Sequence, residues 1–198
     1  PEIETGETGR HRVVIVGAGL TGLTLACALA RLGVQAVVLD EDQTVGVKGA
    51  SSRGICYTQK SLEIFERLGV FEPIAAKGVA WSVGRTFAGQ DEVYAFDLRQ
   101  QGNTSLSAQP AFINIQQFYI EAFLVDRIRE LGQVDLRWCS RVIDFEQDED
   151  LARLTVETPA GRYRIAAEHV IDATGSNSPF HDWVGVARQG RRGDDRWC

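Results

Sequence analysis

The chain has 198 residues, 44% of them hydrophobic and 24% charged. This ordinary globular composition excludes a disordered or collagen-like chain and leaves room for one substantial domain with at most a small second lobe. Its 27 acidic and 21 basic residues give a net charge of −6, which argues against a nucleic-acid-binding surface and against adhesion to anionic membranes.

Residues 1–11 are polar and read as a flexible tail. Residues 12–16 are rich in Val and Ile without alternation, the pattern of a strand buried on both faces. The uncharged run 13–30 imitates a signal peptide or a membrane span. However, it contains Gly17, Gly19, Thr21, Gly22 and Thr24 and splits into a β-like half and a helix-like half starting at Leu20. A helix over 20–32 ended by Gly33 and a buried strand over 35–39 complete a βαβ unit. After a glycine-rich loop, 59–68 reads as an amphipathic helix with Leu62, Phe65 and Leu68 on one face, a Glu63–Arg67 pair and Gly69 as its stop. Pro73 punctuates the segment after that helix. Residues 80–87 and 92–98 alternate around Ala88-Gly89-Gln90-Asp91, a hairpin signal. Asn114 is expected to cap a long helix over 115–131, with Ile120, Leu124, Ile128 and Leu131 as its buried stripe and Gly132 as its end. Strand-like runs come next, at 134–139, 141–145, 153–157, 163–166 and 169–173. The acids Glu146, Asp148, Glu149 and Asp150 read as a solvated hairpin tip.

Four cysteines (Cys27, Cys56, Cys139 and Cys198) occur without a Cys-x-x-Cys pair, beside three histidines. That spacing fits neither a zinc site nor a disulfide scaffold, and reduced thiols point to a cytoplasmic protein.

The strongest chemical signal is Gly17-Ala18-Gly19-Leu20-Thr21-Gly22, which follows a predicted strand and opens a predicted helix. Gly17 permits the tight turn, Gly19 lets a pyrophosphate approach the backbone, and Gly22 lets helix and strand pack closely. The helix N-terminus, with Leu20 and Thr21 in its first turn, offers N–H groups and a positive dipole end to phosphates. Asp40 closes the second strand 18 residues after Gly22, where a carboxylate can accept hydrogen bonds from ribose hydroxyls. This unit specifies a dinucleotide and does not distinguish NAD from FAD.

Four stretches, 13–42, 51–70, 110–131 and 169–186, resemble the FAD-dependent aromatic hydroxylases, the single-component flavoprotein monooxygenases, and most of all those of the 3-(3-hydroxyphenyl)propionate hydroxylase type. Ser52-Arg53-Gly54 followed by Leu62-Glu63-Ile64-Phe65, and Asn114-Ile115-Gln116-Gln117, carry more specificity than the glycine loop. The resemblance implies an α/β fold: a Rossmann-like FAD-binding βαβ domain with an added β-sheet portion of a substrate domain, an incomplete para-hydroxybenzoate-hydroxylase-like fold. It assigns 12–79 and 111–186 to a discontinuous FAD-binding domain, 80–110 to part of the substrate domain and 187–198 to a truncated end.

By the same resemblance, Arg53 reaches the pyrophosphate or ribityl oxygens. Gln117 contacts the ribityl chain, although Gln117 also falls where a capping box with Asn114 would place it. Gly175 supplies a backbone turn near the flavin. The pattern departs at this last point. Thr174-Gly175 stands where the family has Asp-Gly, His181 stands where it has Arg, and Asp172 comes two residues early. The later Gly-Asp flavin motif has no match. The implied activity is hydroxylation of a small phenolic substrate by O2, with NADH or NADPH as electron donor, no nucleic-acid or membrane partner, and an open oligomeric state. No catalytic residue is assigned. A truncated, inactive nucleotide-binding remnant and a nicotinamide-dependent dehydrogenase remain as alternatives, the second disfavoured by residues 51–69.

Overall fold

The computed structural model describes residues 2, 6, 8–46, 55–98, 109–187, 189 and 190. The βαβ unit forms as β1 (Gly9–Val16), α1 (Leu20–Arg31) and β2 (Ala36–Leu39). The uncharged run 13–30 is therefore divided between a strand and a 12-residue helix, and among the described residues no helix is long and apolar enough to cross a membrane.

The chain continues through β3 (Cys56–Thr58), α2 (Gln59–Leu68), α3 (Phe71–Lys77), β4 (Val79–Trp81), β5 (Val83–Ala88), β6 (Asp91–Asp97) and β7 (Phe112–Asn114). It then forms α4 (Gln117–Leu131), β8 (Val134–Arg137), β9 (Arg141–Gln147), β10 (Ala152–Thr158), β11 (Gly161–Asp172) and the short α5 (Phe180–Trp183).

The main sheet has six strands in the order β8-β2-β1-β11-β10-β9. β8, β2, β1 and β11 run parallel, while β10 and β9 are antiparallel additions. Its central strands are buried on both faces, which is why their sequences do not alternate. Val13, Ile15, Ala36 and Val38 face one core with α1, α2 and α4 residues such as Leu23, Leu62, Leu124 and Ile128. Val14, Val16, Val37 and Leu39 face the other, with Leu154, Val156, Ile165 and Phe180.

Several boundaries differ from the sequence expectation. Asn114 does not cap α4. It lies in β7, where its Oδ1 accepts from Trp81 Nε1 at 2.7 Å, and the helix starts two residues later with Gln116 as N-cap. Gln117 is therefore the first helical residue and not the third position of a capping box. Pro73 does not end structure but sits in the first turn of α3, where its missing N–H has no helical partner to lose. The runs 163–166 and 169–173 form one strand, β11, paired with β1 from Gly9↔Ile165 to Val16↔Asp172. On α2, Glu63 accepts from Lys60 Nζ at 3.4 Å, an i,i+3 pair that the sequence reading does not include.

β1 also starts earlier than expected, and Glu2 is tied down beside it. Its carboxylate accepts from His11 Nε2 at 2.8 Å and from Arg137 at 2.8 Å. Burial pushes the Glu2 carboxyl up, but the hydrogen bonds from His11 and Arg137 outweigh it and hold the pKa at about 2. A lowered folded-state pKa stabilises the fold above the unfolded value and is lost as pH falls through the folded one. Glu2→Gln is expected to cost about 1–3 kcal/mol at neutral pH, and the difference should fade between pH 4.5 and about 2. Chemical denaturation at a series of pH values measures this; a pH-independent difference would mean that the charge of Glu2 is not the source of the stabilisation.

Candidate dinucleotide site

The parallel strands β2, β1 and β11 end side by side, and the loops that leave them meet there. Gly17 N–H donates to Leu39 O at 2.8 Å on one side, and Ala173 N–H donates to Val16 O at 2.8 Å on the other. In open α/β sheets this edge, the carboxyl end of the strands, is where ligands bind.

The glycines of the loop have distinct physical reasons. Gly17 has φ +107°, and a Cβ there would stand 2.5 Å from Ala173 O. A Cβ on Gly22 would overlap the carbonyl oxygen of Gly17, so this position sets how closely α1 approaches the turn. Gly19 differs from both. Its backbone is extended (φ −76°, ψ −177°), and a Cβ there would meet nothing within 4 Å. No protein contact requires glycine at 19, and the direction its Cβ would take is open space in front of a helix end. That helix end has no side-chain cap and no acid in its first turn, with Leu20 and Thr21 its first residues. An uncapped helix N-terminus with an open approach suits an anion such as a pyrophosphate.

Asp40 follows β2 directly. Its Oδ2 accepts from Ala18 N–H at 2.6 Å and its Oδ1 from Asp42 N–H at 2.8 Å. The carboxylate thus ties the glycine loop to the end of β2, an internal role that the sequence does not reveal. Two hydrogen bonds leave lone pairs on both oxygens for ribose hydroxyls. The turn after β8 closes behind it: Ser140 N–H donates to Asp40 O at 2.7 Å and Cys139 N–H to Asp42 O at 2.8 Å. Cys139 has φ +50°, in the left-handed region. The strand expected over 134–139 therefore stops at Arg137; nothing in Trp138-Cys139-Ser140 signals a turn of that hand.

Gln117 reaches the same edge through topology. β8 is parallel to β2 and only residues 132–133 separate it from α4, so α4 runs against the strands and begins at their carboxyl end. Gly46, in the loop after Asp40, lies against this helix start, where a Cβ would stand 3.2 Å from Phe118 Cβ. Gln117 Nε2 donates to Glu121 Oε1 at 2.7 Å.

Gly175 has φ +86° and open space at its Cβ position. Asp172, the acid that comes two residues early, is engaged by its own neighbours. It accepts from Thr174 N–H at 3.0 Å, Thr174 Oγ1 at 2.6 Å and Ser178 Oγ at 2.5 Å, which folds it into its own turn. Burial pushes the Asp172 carboxyl up, but these hydrogen bonds and the nearby His181 together bring it below the ordinary value. Arg53 lies outside the described residues.

Away from this edge, β5 and β6 form a separate two-stranded sheet, so the hairpin signal at 80–98 is realised from Val83 to Asp97. Val83, Phe87, Val93 and Tyr94 are exposed on it. β4 instead joins β3 and β7 in a three-stranded sheet, with Trp81 stacked on Phe112 at 5.0 Å between ring centroids.

A parallel sheet, a glycine turn opening onto an uncapped helix, and an acid at the end of the second strand define a dinucleotide-binding α/β protein. The family model described as FAD binding domain matches residues 10–198. The chain belongs to this FAD-binding family.

It is 31% identical over 183 residues to a flavin-dependent monooxygenase of Mycobacteroides abscessus, covering 90% of this chain and 38% of the relative. It is 26% identical to para-nitrophenol 4-monooxygenase of a Pseudomonas species, covering 93% of this chain and 45% of that one. It is also 26% identical to a 3-(3-hydroxy-phenyl)propionate/3-hydroxycinnamic acid hydroxylase of Mycolicibacterium smegmatis, covering 96% and 33%. The chain thus spans less than half the length of these relatives.

Among solved structures, p-nitrophenol 4-monooxygenase from Pseudomonas putida superimposes with a TM-score of 0.84 at 25% identity, covering 93% of this chain and 46% of that one. The flavin-dependent monooxygenase PieE, solved with FAD and substrate, gives 0.81 at 26% identity, covering 92% and 33%. The fold is that of the FAD-binding part of such hydroxylases.

Proposed function

We propose that this chain is the FAD-binding portion of a monooxygenase that hydroxylates a small phenolic substrate with O2 and NADH or NADPH. The observation that carries the reading is Gly19: an extended glycine with open space at its Cβ, at the uncapped start of α1, in a chain of the FAD-binding family. The pyrophosphate lies against Gly17, Gly19 and the N–H groups of Leu20, Thr21 and Gly22. Asp40 holds the adenosine ribose. Arg53, Gln117 and Gly175 serve the flavin side. Residues 12–79 and 111–186 form the FAD-binding unit, and 80–110 contribute to a substrate sheet. Bound FAD supplies the electron transfer and oxygen chemistry, while the protein orients it and excludes water.

The reading is tested by adding FAD to the purified chain and following flavin fluorescence and absorption. Reduced nicotinamide and a panel of phenolic acids are then supplied, with oxygen uptake, hydroxylated product and peroxide assayed. The expected result is weak but saturable FAD binding with no coupled hydroxylation by the 198 residues alone. β5–β6 has no other strand paired to it among the described residues, so this part of a substrate pocket stays open to water, and water exclusion is what protects such chemistry. Absence of FAD binding would overturn the cofactor assignment; efficient hydroxylation would overturn the assignment of the chain as a portion.

Asp40→Ala is expected to weaken FAD binding by about 1–3 kcal/mol, roughly 5- to 150-fold. The loss has two sources: the ribose contact, and the two backbone N–H groups of Ala18 and Asp42 that lose their acceptor. Titration of FAD into the variant and the parent measures it. Equal affinities would show that another group holds the ribose.

A further inference from the structure

We infer that Glu121 is a positioning residue for the cofactor: it turns the side-chain amide of Gln117 so that the carbonyl oxygen, not the NH2 group, is presented to the hydroxyls of the flavin's ribityl chain. The inference rests on the proposed FAD site.

The geometry begins with the Gln117–Glu121 contact of 2.7 Å. An amide oxygen and nitrogen are hard to distinguish by shape, but an ionised carboxylate only accepts, so the atom of Gln117 that faces it must be the NH2 group. With Nε2 committed to Glu121, Oε1 is turned to the other side of the amide. Among the described residues, Gln117 makes no other side-chain hydrogen bond. A hydroxyl-rich ligand chain offers donors, and a fixed carbonyl acceptor complements it. A freely rotating glutamine would have to be ordered on binding, at a cost in side-chain entropy.

Glu121 is not an ordinary surface partner of an i,i+4 pair. It is only 6% exposed, and a buried carboxylate is costly unless its position is fixed by partners. It follows the fully buried Ile120 in α4, and its charge is felt at Tyr57 of β3. Burial first, and then the negative charge of Glu121, push the Tyr57 phenol up to about 12. At 6% exposure and with Oε1 2.7 Å from Gln117 Nε2, the carboxylate is held inside the protein and not in solvent.

The test is FAD titration of the full chain, with thermal unfolding of each ligand-free variant alongside. Gln117→Ala is expected to weaken FAD binding about three- to tenfold, the range of one hydrogen bond. Glu121→Leu should weaken it to a similar extent, and Glu121→Gln should lose part of the affinity, because its amide can donate to Gln117 Oε1 as well as accept from Nε2 and so no longer fixes which atom faces the ligand. Glu121→Asp keeps the charge but falls one methylene short, and serves if the leucine variant does not fold; it should lose affinity as Glu121→Leu does. In the Gln117→Ala background, either Glu121 change should have no further effect.

If the parent chain does not bind FAD, the proposed cofactor site fails, and this inference with it. If the parent binds and Gln117→Ala weakens binding but Glu121→Leu and Glu121→Asp do not, the positioning role is refuted and the cofactor site stands. If Glu121 changes weaken binding equally with and without Gln117, Glu121 acts through the general fold and the inference is refuted.

Discussion

Gly19→Val is expected to abolish measurable FAD binding while leaving the chain folded. The expectation rests on the difference between Gly19 and its neighbours. The backbone at Gly19 (φ −76°, ψ −177°) is one that any L-residue adopts, and no protein atom lies within 4 Å of the Cβ position. The fold therefore has little to lose. Valine is a poorer N-cap than glycine, which sets the stability cost at about 1 kcal/mol or less. The ligand has much to lose, because a branched side chain occupies the space through which a pyrophosphate would approach the helix N–H groups. The two effects are separated by measuring thermal unfolding and FAD titration on the same preparation. An unchanged unfolding temperature with unchanged FAD affinity would show that the pyrophosphate lies elsewhere. Gly19→Ala is the graded control, and a smaller loss is expected from it.

The parts of this site that are legible in the sequence are those where one residue type answers one physical demand. Gly17, Gly19 and Gly22 stand between an apolar run and a helical one, and the structure gives each a different reason. Asp40 is legible as an acid at a strand end. Its bond to Ala18 N–H is not, because that contact depends on how the loop folds back over β2. α1, α2 and β2 are legible through unbroken or periodic apolar residues, and Gly69 and Gly132 through their left-handed stops.

Short or tertiary features escape a reading of the sequence. β3, β4 and β7 have three residues each, too few for a period to show. They exist because they pair with one another, and Asn114, which has good capping chemistry, is taken by Trp81 instead. β11 reads as two runs because Ala167 and Glu168 interrupt the β-branched pattern. Ala167 is nevertheless fully buried, and Glu168 pairs with Arg10 at 3.5 Å, so β1 holds the strand together across the gap. The Asp172 turn shows the same limit: nothing in the sequence signals that this acid at the end of β11 accepts from Thr174 and Ser178.

Gly22→Ala is expected to destabilise the fold, against the rule for helices. In an ordinary helix interior, replacing glycine with alanine stabilises by about 1 kcal/mol, because alanine loses less backbone freedom. Gly22 is inside α1 and buried, so propensity alone forecasts a gain. The Cβ, however, would overlap the Gly17 carbonyl oxygen and stand 3.4 Å from Ala173 Cβ. Gly17 cannot simply move away. Its N–H is bonded to Leu39 O, its φ of +107° is set by the turn, and Ala173 behind it is bonded to Val16. Relief requires α1 to slide outward from β1 and β11, which opens the core around Leu23 and Ala26. Overpacking of this kind costs about 1–3 kcal/mol beyond the propensity gain. For a domain of this size that corresponds to a fall in unfolding temperature of about 2–10 °C. FAD binding should fall as well, since the shift carries the N–H groups of Leu20 and Thr21 with the helix. Thermal unfolding of the ligand-free chain decides the matter. A variant that unfolds at or above the parent's temperature would show that the loop yields where the close approach of Gly22 to Gly17 says it is fixed.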